Sequence, residues 1–198
     1  MNSRDQILAA VKANQPASSA LPVLDSFTAP RAVSMDTFRK VAETMGSRVL
    51  NISSEAEIPA LLKEYFSDMP LVVSADPAIA AHCPPPMASW KEGDGRQLQE
   101  VDLAIVRAQL GVAENGALWL TESELQVRVL PFIAQHLAII LQADTILPTM
   151  HHAYNKIGDQ FTGFGVFIAG PSKTADIEQS LVLGAHGAKS LTIIIVGA

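Results

Sequence analysis

Short apolar runs alternate with segments of helical periodicity along this chain, and that alternation restricts the fold more than any other feature. Strands that alternate with helices are typical of a mostly parallel sheet covered on both faces, so we predict an α/β domain. The predicted strands are Arg48 to Ile52, Leu71 to Ser74, Val101 to Arg107, His136 to Leu141, Gly165 to Ala169 and Leu191 to Val196. The predicted helices are Ser3 to Lys12, Ser34 to Gly46, Ser54 to Phe66, Pro148 to Gln160 and Ala175 to Leu183.

One segment favours antiparallel pairing instead. Glu114-Asn115-Gly116 separates a run that ends near Ala113 from the apolar run Ala117 to Thr121. Asn-Gly suits a tight turn with positive φ at both central residues, so the segment predicts a β-hairpin. Val127 to Leu130 is predicted to add a third antiparallel strand.

The first 30 residues are predicted to form a short helix on an extended arm. Ser3 is the predicted cap of the helix, and the segment from Asn14 to Pro30 is rich in proline, serine and alanine. The sequence leaves open whether this helix docks on its own domain or on a neighbouring subunit. We assign residues 1–30 to the arm and residues 31–198 to a single domain.

Composition restricts the classes of function. With 48% hydrophobic residues among 198, the chain contains enough apolar material for a sizeable core. The net charge of −6 argues against non-specific nucleic-acid binding, which depends on dense positive charge. Cys83 is the single cysteine, so the chain cannot form an internal disulfide or a cysteine cage for an iron–sulfur cluster. Its apolar runs are too short for a membrane span and its start does not resemble a signal peptide, so we expect a cytoplasmic protein.

The strongest candidate site follows the predicted strand Gly165 to Ala169. Gly170-Pro171 ends that strand, and Ser172-Lys173-Thr174 leads into a predicted helix with Thr174 as its cap. Ligands of open α/β sheets bind where strands end and helices begin, and Lys173 suits an anion there. The alternative is an ordinary capped helix in which Asp176 and Glu178 complement the dipole. These two carboxylates, two positions apart on a helix, face different directions and form a poor acid/base pair.

Histidines provide further candidates. His186 lies between glycines after the same predicted helix, where it suits either proton transfer or simple dipole stabilisation. His151-His152 lacks the i, i+4 spacing of helical zinc ligands, so we predict surface or interface histidines and no metal site. His136 opens an apolar strand and is expected to be a partly buried structural residue.

Several of these segments together resemble the LUD-domain family of lactate utilisation proteins, and most closely its lactate utilisation protein C branch. The resemblance lies in the run from Gly170 to Glu178, the run Gly184-Ala185-His186-Gly187, and the segment from Gly111 to Gly116. Leu130-Pro131 followed by His136 adds to it. Specific motifs cover residues 100–198, whereas residues 1–99 match in element order only. The chain departs from the family's usual residues at three positions, which are Asn115, Lys173 and Ala188.

The resemblance implies a three-layer α/β/α fold related to ribose-phosphate isomerases, glucosamine-phosphate deaminases and CoA transferases. It also implies membership of a three-subunit system that oxidises L-lactate to pyruvate, in which other subunits hold the iron–sulfur clusters. The candidate catalytic residues are Glu114, Asp176, Glu178 and His186. The candidate ligand-binding residues are Gly116, Gly170, Ser172, Lys173, Thr174 and Gly187, for a small carboxylate or phosphate.

Three functions remain open from sequence. The first is a non-redox subunit of a lactate-oxidising complex that binds iron–sulfur subunits, because no flavin, nicotinamide or haem motif is present in the chain. The second is a stand-alone enzyme of isomerase or CoA-transferase-like type that acts on a sugar phosphate or an acyl-CoA. The third is a ligand-sensing regulator, against which the acidic charge counts.

Overall fold

The computed structural model describes residues 2–29, 31–83, 95–159, 163–175 and 181–197. The helices are α1 (Ser3–Ala13), α2 (Asp25–Thr28), α3 (Met35–Thr44), α4 (Ile58–Tyr65), α5 (Pro77–Ala80), α6 (Glu122–Leu125), α7 (Leu130–Ile133) and α8 (Met150–Ile157). The strands are β1 (Arg48–Ile52), β2 (Val72–Ser74), β3 (Leu103–Arg107), β4 (Leu110–Val112), β5 (Ala117–Thr121), β6 (His136–Gln142), β7 (Ile146–Leu147), β8 (Gly165–Ile168), β9 (Lys173–Ala175), β10 (Leu181–Leu183) and β11 (Ser190–Val196).

Five of the predicted strands form the expected parallel sheet, in the order β1-β11-β6-β3-β2. Its central strand is β6, whose residues from Leu137 to Leu141 are all buried, as are those of the neighbouring β11 from Leu191 to Val196. A strand buried on both faces must be apolar at consecutive positions, which explains why the sequence pattern identified this sheet reliably. The prediction of an α/β fold with a mostly parallel sheet is confirmed.

A second sheet, in the order β7-β4-β5-β8, contains the predicted hairpin. Its third antiparallel strand is β8, which pairs with β5, so the strand predicted from Gly165 to Ala169 belongs to this sheet and not to the parallel one. The prediction of a strand from Val127 to Leu130 is wrong. A turn precedes Leu130 there, and Pro131 lies in the first turn of α7, where its missing N–H costs nothing.

Three apolar clusters stack the elements into layers. Helices α4 and α5 cover one face of the parallel sheet, around Ile58, Leu62 and Ile79. The other face packs against α3, α6 and the second sheet, whose inner side contributes Leu118 and Leu120. The outer side of the second sheet carries Val112, Trp119 and Phe167 and is covered by α8.

The prediction of a helix from Ala175 to Leu183 is wrong at both ends of that segment. Lys173–Ala175 and Leu181–Leu183 are the antiparallel strands β9 and β10 of a two-stranded hairpin. Main-chain hydrogen bonds close its base: Gly184 N donates to Ser172 O at 3.1 Å, and Ser172 N donates to Ala188 O at 2.9 Å. These bonds hold the two arms side by side, which a continuous helix would prevent.

The N-terminal helix α1 buries none of its residues, and Asn2 rather than Ser3 caps it. Its apolar stripe is open to solvent, with Ile7, Leu8 and Val11 each more than half exposed. The following arm does reach the domain, because the Phe27 ring lies 5.0 Å from the ring of His151 on α8. Across the described ranges, no helix is both long and apolar enough to cross a membrane.

Candidate functional site

Five of the predicted site residues line one cavity of about 300 Å³ at the base of the β9–β10 hairpin: Gly170, Ser172, Lys173, His186 and Gly187. Leu137 of β6 and Leu191 of β11 form its floor, so the cavity lies at the amino ends of the parallel strands. The sequence predicted that these residues follow a strand of the parallel sheet, which is wrong because β8 belongs to the other sheet, and the site itself stays a prediction. We refer to this space as the hairpin cavity.

Lys173 does not present its charge to the hairpin cavity. Its ammonium group donates to the carbonyl oxygen of Met45, the residue that ends α3, at 2.6 Å. A cation at a helix C-terminus is favourable because the last carbonyls are unpaired and carry partial negative charge. The close approach also requires Gly170, where a Cβ atom would lie 2.5 Å from the Met45 oxygen. Lys173 therefore fixes the loop to α3.

Ser172 and His186 remain as the polar side chains of the hairpin cavity. Ser172 is half-buried, and its Cβ would lie 3.3 Å from a Cβ added at Gly187, so the two loops meet closely. His186 is exposed at the mouth. The walls are apolar and include Phe132 and Phe167. A small apolar cavity with a few polar groups is the usual form of a small-molecule site.

Glu114 and Gly116 lie elsewhere, in the turn between β4 and β5. The Glu114 carboxylate accepts a hydrogen bond from Met150 N at 2.9 Å and so caps the start of α8. It also lines a separate cavity of about 270 Å³ with Arg31 and Ser34. Gly116, with φ of +69°, packs directly against α3, because a Cβ atom there would lie 3.0 Å from Ala42 Cα. Asn115 does not share the positive φ that the turn prediction required.

The remaining predicted residues that the structure describes do not come together in one catalytic group. Thr174 lies in β9 and is therefore not the cap of a helix, as predicted. Asp176 and Glu178 lie outside the described residues. Glu114 and His186 line different cavities. The proposed acid/base roles thus remain predictions for single residues.

The structure brings together a charged cluster that the sequence did not reveal, at the carboxyl ends of the parallel strands. Arg107, the last residue of β3, donates to both oxygens of Glu55 at 2.7 and 2.8 Å and, through Nε, to Asp76. Gln142, the last residue of β6, donates to Glu55 at 2.8 Å. We call these four residues the carboxyl-edge cluster.

Electrostatics within the carboxyl-edge cluster favour the charged forms. The hydrogen bond from Arg107 lowers the pKa of Glu55, against an opposing effect of burial. Burial acts to raise the pKa of Asp76, but hydrogen bonds from Arg107 and from Ala78 N outweigh it and lower that pKa. The same carboxylates raise the pKa of Arg107. A signal existed in the sequence, since each residue ends or closely follows a predicted parallel strand.

Two other histidines make contacts that hold elements of the fold together. His136 Nδ1 lies 2.7 Å from Ser190 Oγ on the neighbouring strand, and the two residues are directly paired across the sheet. His152 bridges Thr149 Oγ1 at 2.7 Å and Ala29 O at 3.1 Å, which ties the N-terminal arm to α8. Among the described residues, no group of three His, Cys, Asp or Glu side chains is arranged to hold a metal ion.

Curated relatives of the chain share about 30% identity over half of its length. Lactate utilization protein C of Bacillus pumilus is 30% identical over 112 residues, which span 51% of this chain and 47% of the relative. Lactate utilization protein C of Geobacillus kaustophilus is 31% identical over 117 residues, which span 54% of this chain and 49% of the relative. The chain therefore spans about half the length of the curated relatives it matches.

A solved structure of a DUF162 family protein from Deinococcus radiodurans is similar in fold. The TM-score is 0.61 at 17% identity, with 82% of this chain and 96% of that chain covered, and this likeness bears on the fold alone. The model of the LUD domain matches residues 35–196, which include every strand of both sheets and the hairpin cavity. This chain belongs to the LUD domain family.

Proposed function

We propose that this chain acts in L-lactate utilisation as a non-redox subunit, which binds iron–sulfur subunits that oxidise lactate to pyruvate. The observation that supports this most is the similarity to lactate utilization protein C in several bacteria. The single cysteine in the sequence agrees with it, because cysteine thiolates are the usual cluster ligands and would have to come from other subunits.

The hairpin cavity is the proposed ligand site, and a small carboxylate or phosphate is the proposed ligand. Its volume of about 300 Å³ is at the lower end of the range for small-molecule pockets, which suits a compact ligand. Because Lys173 is held by Met45, the anion would contact the Ser172 hydroxyl and the His186 ring at the mouth.

Deletion and complementation in the native host test the proposed role. Loss of the gene should slow growth on L-lactate and leave growth on glucose unchanged, and the tagged chain should co-purify with cysteine-rich subunits from lactate-grown cells. Ser172→Ala with His186→Ala should complement poorly, whereas His151→Ala should complement fully, because His151 lies on α8 outside the hairpin cavity. Unchanged growth on lactate together with no co-purifying iron–sulfur protein would refute the role.

A stand-alone enzyme of isomerase or CoA-transferase-like type is the second candidate, and the position of Glu114 favours it. The Glu114 carboxylate is exposed, lies in a cavity and is oriented by Met150 N, as a nucleophile or base requires. The purified chain would then turn over a sugar phosphate or an acyl-CoA by itself, and Glu114→Gln would abolish turnover. An inert purified chain that restores lactate growth excludes this candidate.

A further inference from the structure

Strand β8 is a sheet edge without the features that normally protect one. Within the part of the chain that the structure describes, β8 pairs with β5 alone, and the residues from Gly165 to Ala169 include no charge and no proline. Native proteins usually blunt such edges with charges, proline or very short strands, because an open edge pairs with other chains. The other edges of the two larger sheets follow this rule: β1 carries exposed Arg48 and Asn51, β2 has three residues and β7 has two.

The direction of the backbone groups on β8 follows from the neighbouring strands. The carbonyl of Trp119 on β5 accepts a hydrogen bond from Gln109 N at 2.9 Å, so the main-chain groups of Trp119 face β4. Trp119 lies directly opposite Phe167. Opposite residues in an antiparallel pair either exchange hydrogen bonds or both point away from each other. The N–H and C=O groups of Phe167 therefore point away from β5, toward the open edge.

A second hydrogen bond agrees with this direction. Glu122 N donates to Phe164 O at 3.0 Å, so the carbonyl of Phe164 faces the β5 side of the sheet. Successive residues of a strand direct their main-chain groups to alternate sides. Gly165, Phe167 and Ala169 consequently present their N–H and C=O groups to the open edge.

The edge of β8 is partly accessible. The residues of β8 are all half-buried, whereas those of the neighbouring β5 are all buried.

We propose that β8 pairs antiparallel with β8 of a second copy of this chain, which joins the two second sheets into one continuous sheet. A two-fold axis at Phe167 places Phe167 opposite its counterpart, Val166 opposite Ile168, and Gly165 opposite Ala169. Each outward-facing residue then donates one hydrogen bond and accepts one. The pairing is self-complementary, because it sets no charge opposite a like charge and matches small residues with small ones.

The side chains around Phe167 suit this occupant. The Phe167 ring lies 4.6 Å from Trp119 and 5.8 Å from Tyr154, and Tyr154 is 61% exposed. The two-fold axis would merge this aromatic group with its copy. Aromatic residues are enriched at the cores of protein interfaces, and charged residues are depleted there.

Size-exclusion chromatography with light scattering tests the pairing. The purified wild-type chain should be a dimer at micromolar concentration, and Phe167→Leu should remain one. Phe167→Lys places two ammonium groups opposite each other and should raise the dimer dissociation constant about tenfold or more. A wild-type chain that stays monomeric at 100-fold higher concentration, about 100 μM, would overturn the proposal, and so would a folded Phe167→Lys variant that dimerises equally well.

Cross-linking keeps the test decisive if Phe167→Lys does not fold. In a Cys83→Ser background, Phe167→Cys should form an intermolecular disulfide rapidly, since hydrogen-bonded antiparallel neighbours are about 5.5 Å apart at Cα. Arg48→Cys on the charged edge β1 is the matched control and should cross-link slowly. Equal rates at both positions would overturn the proposal.

Discussion

Removal of Arg107 should destabilise the fold in a pH-dependent manner. Arg107→Met keeps the aliphatic stem but leaves Glu55 and Asp76 without their shared cation. The Asp76 side chain is only 15% exposed, so its bond to Arg107 has the strength of a buried charged hydrogen bond, about 1.5–3 kcal/mol. The Glu55 side chain is 43% exposed, so solvent reduces its contribution to about 0.2–1 kcal/mol. We expect a loss of about 2–3 kcal/mol in the free energy of unfolding at pH 7.

The sign of the pH dependence follows from the two carboxylates. The folded-state pKa of each is below its ordinary value, so the pairs stabilise the protein fully above about pH 5. This contribution is lost as the pH falls through the folded pKa values and the carboxylates take up protons. The difference between wild type and Arg107→Met should therefore shrink markedly between pH 7 and pH 3.

Urea unfolding followed by circular dichroism, repeated at both pH values, measures this difference. Arg128→Met is the matched control, since Arg128 makes the same type of pair with Glu122 but both side chains are well exposed. That control should not change the unfolding midpoint measurably. A loss below 0.5 kcal/mol for Arg107→Met, or a loss at pH 3 as large as that at pH 7, would refute the conclusion that the charge pairs of Arg107 stabilise the fold.

Three further changes have definite outcomes. Lys173→Ala should lower the free energy of unfolding by about 0.5–1.5 kcal/mol in urea titrations, because the carbonyl of Met45 loses its hydrogen bond. The affinity for an anion, measured by calorimetry, should stay within about twofold of wild type, because the ammonium group is bound to Met45. Gly116→Val should lower the free energy of unfolding by more than about 2 kcal/mol in the same titrations, since its φ is positive and its Cβ would lie 3.0 Å from Ala42 Cα. Gly158→Ala is the control, because Gly158 has the same φ but open space around it. Deletion of residues 1–23 should leave the melting temperature within about 2 °C by calorimetry, because α1 buries nothing. A larger drop would mean that residues 1–23 themselves pack on the domain.

The sequence predicted the buried framework well because burial on both faces leaves a strong pattern. The predicted bounds of β1 are those observed, and those of β11 differ by one residue. The Asn-Gly pair likewise located the β4–β5 hairpin. Each of these signals is local, so neighbouring residues suffice to read it.

The errors concern features decided by distant contacts. Local periodicity favoured a helix after Thr174, but the bonds between Ser172 and the segment from Gly184 to Ala188 impose a hairpin. The sequence places each member of the carboxyl-edge cluster after a predicted strand, but it does not predict which members meet, since Arg107 contacts Glu55 across 52 positions of the chain. Lys173 was predicted to hold an anion because the sequence does not show which group a lysine in a loop contacts. In the structure its ammonium group donates to the carbonyl of Met45 at the end of α3.

The position of β1 has a consequence for how the protein folds. In the described sheets β1 pairs only with β11, with Arg48 beside Thr192 and Ile52 beside Val196. The strand is synthesised early but has no partner until the segment around Ile194 leaves the ribosome. Contacts between such distant segments slow folding and leave apolar strands exposed in the meantime. We expect nascent chains that stop before β11 to depend on chaperones and to be sensitive to proteases.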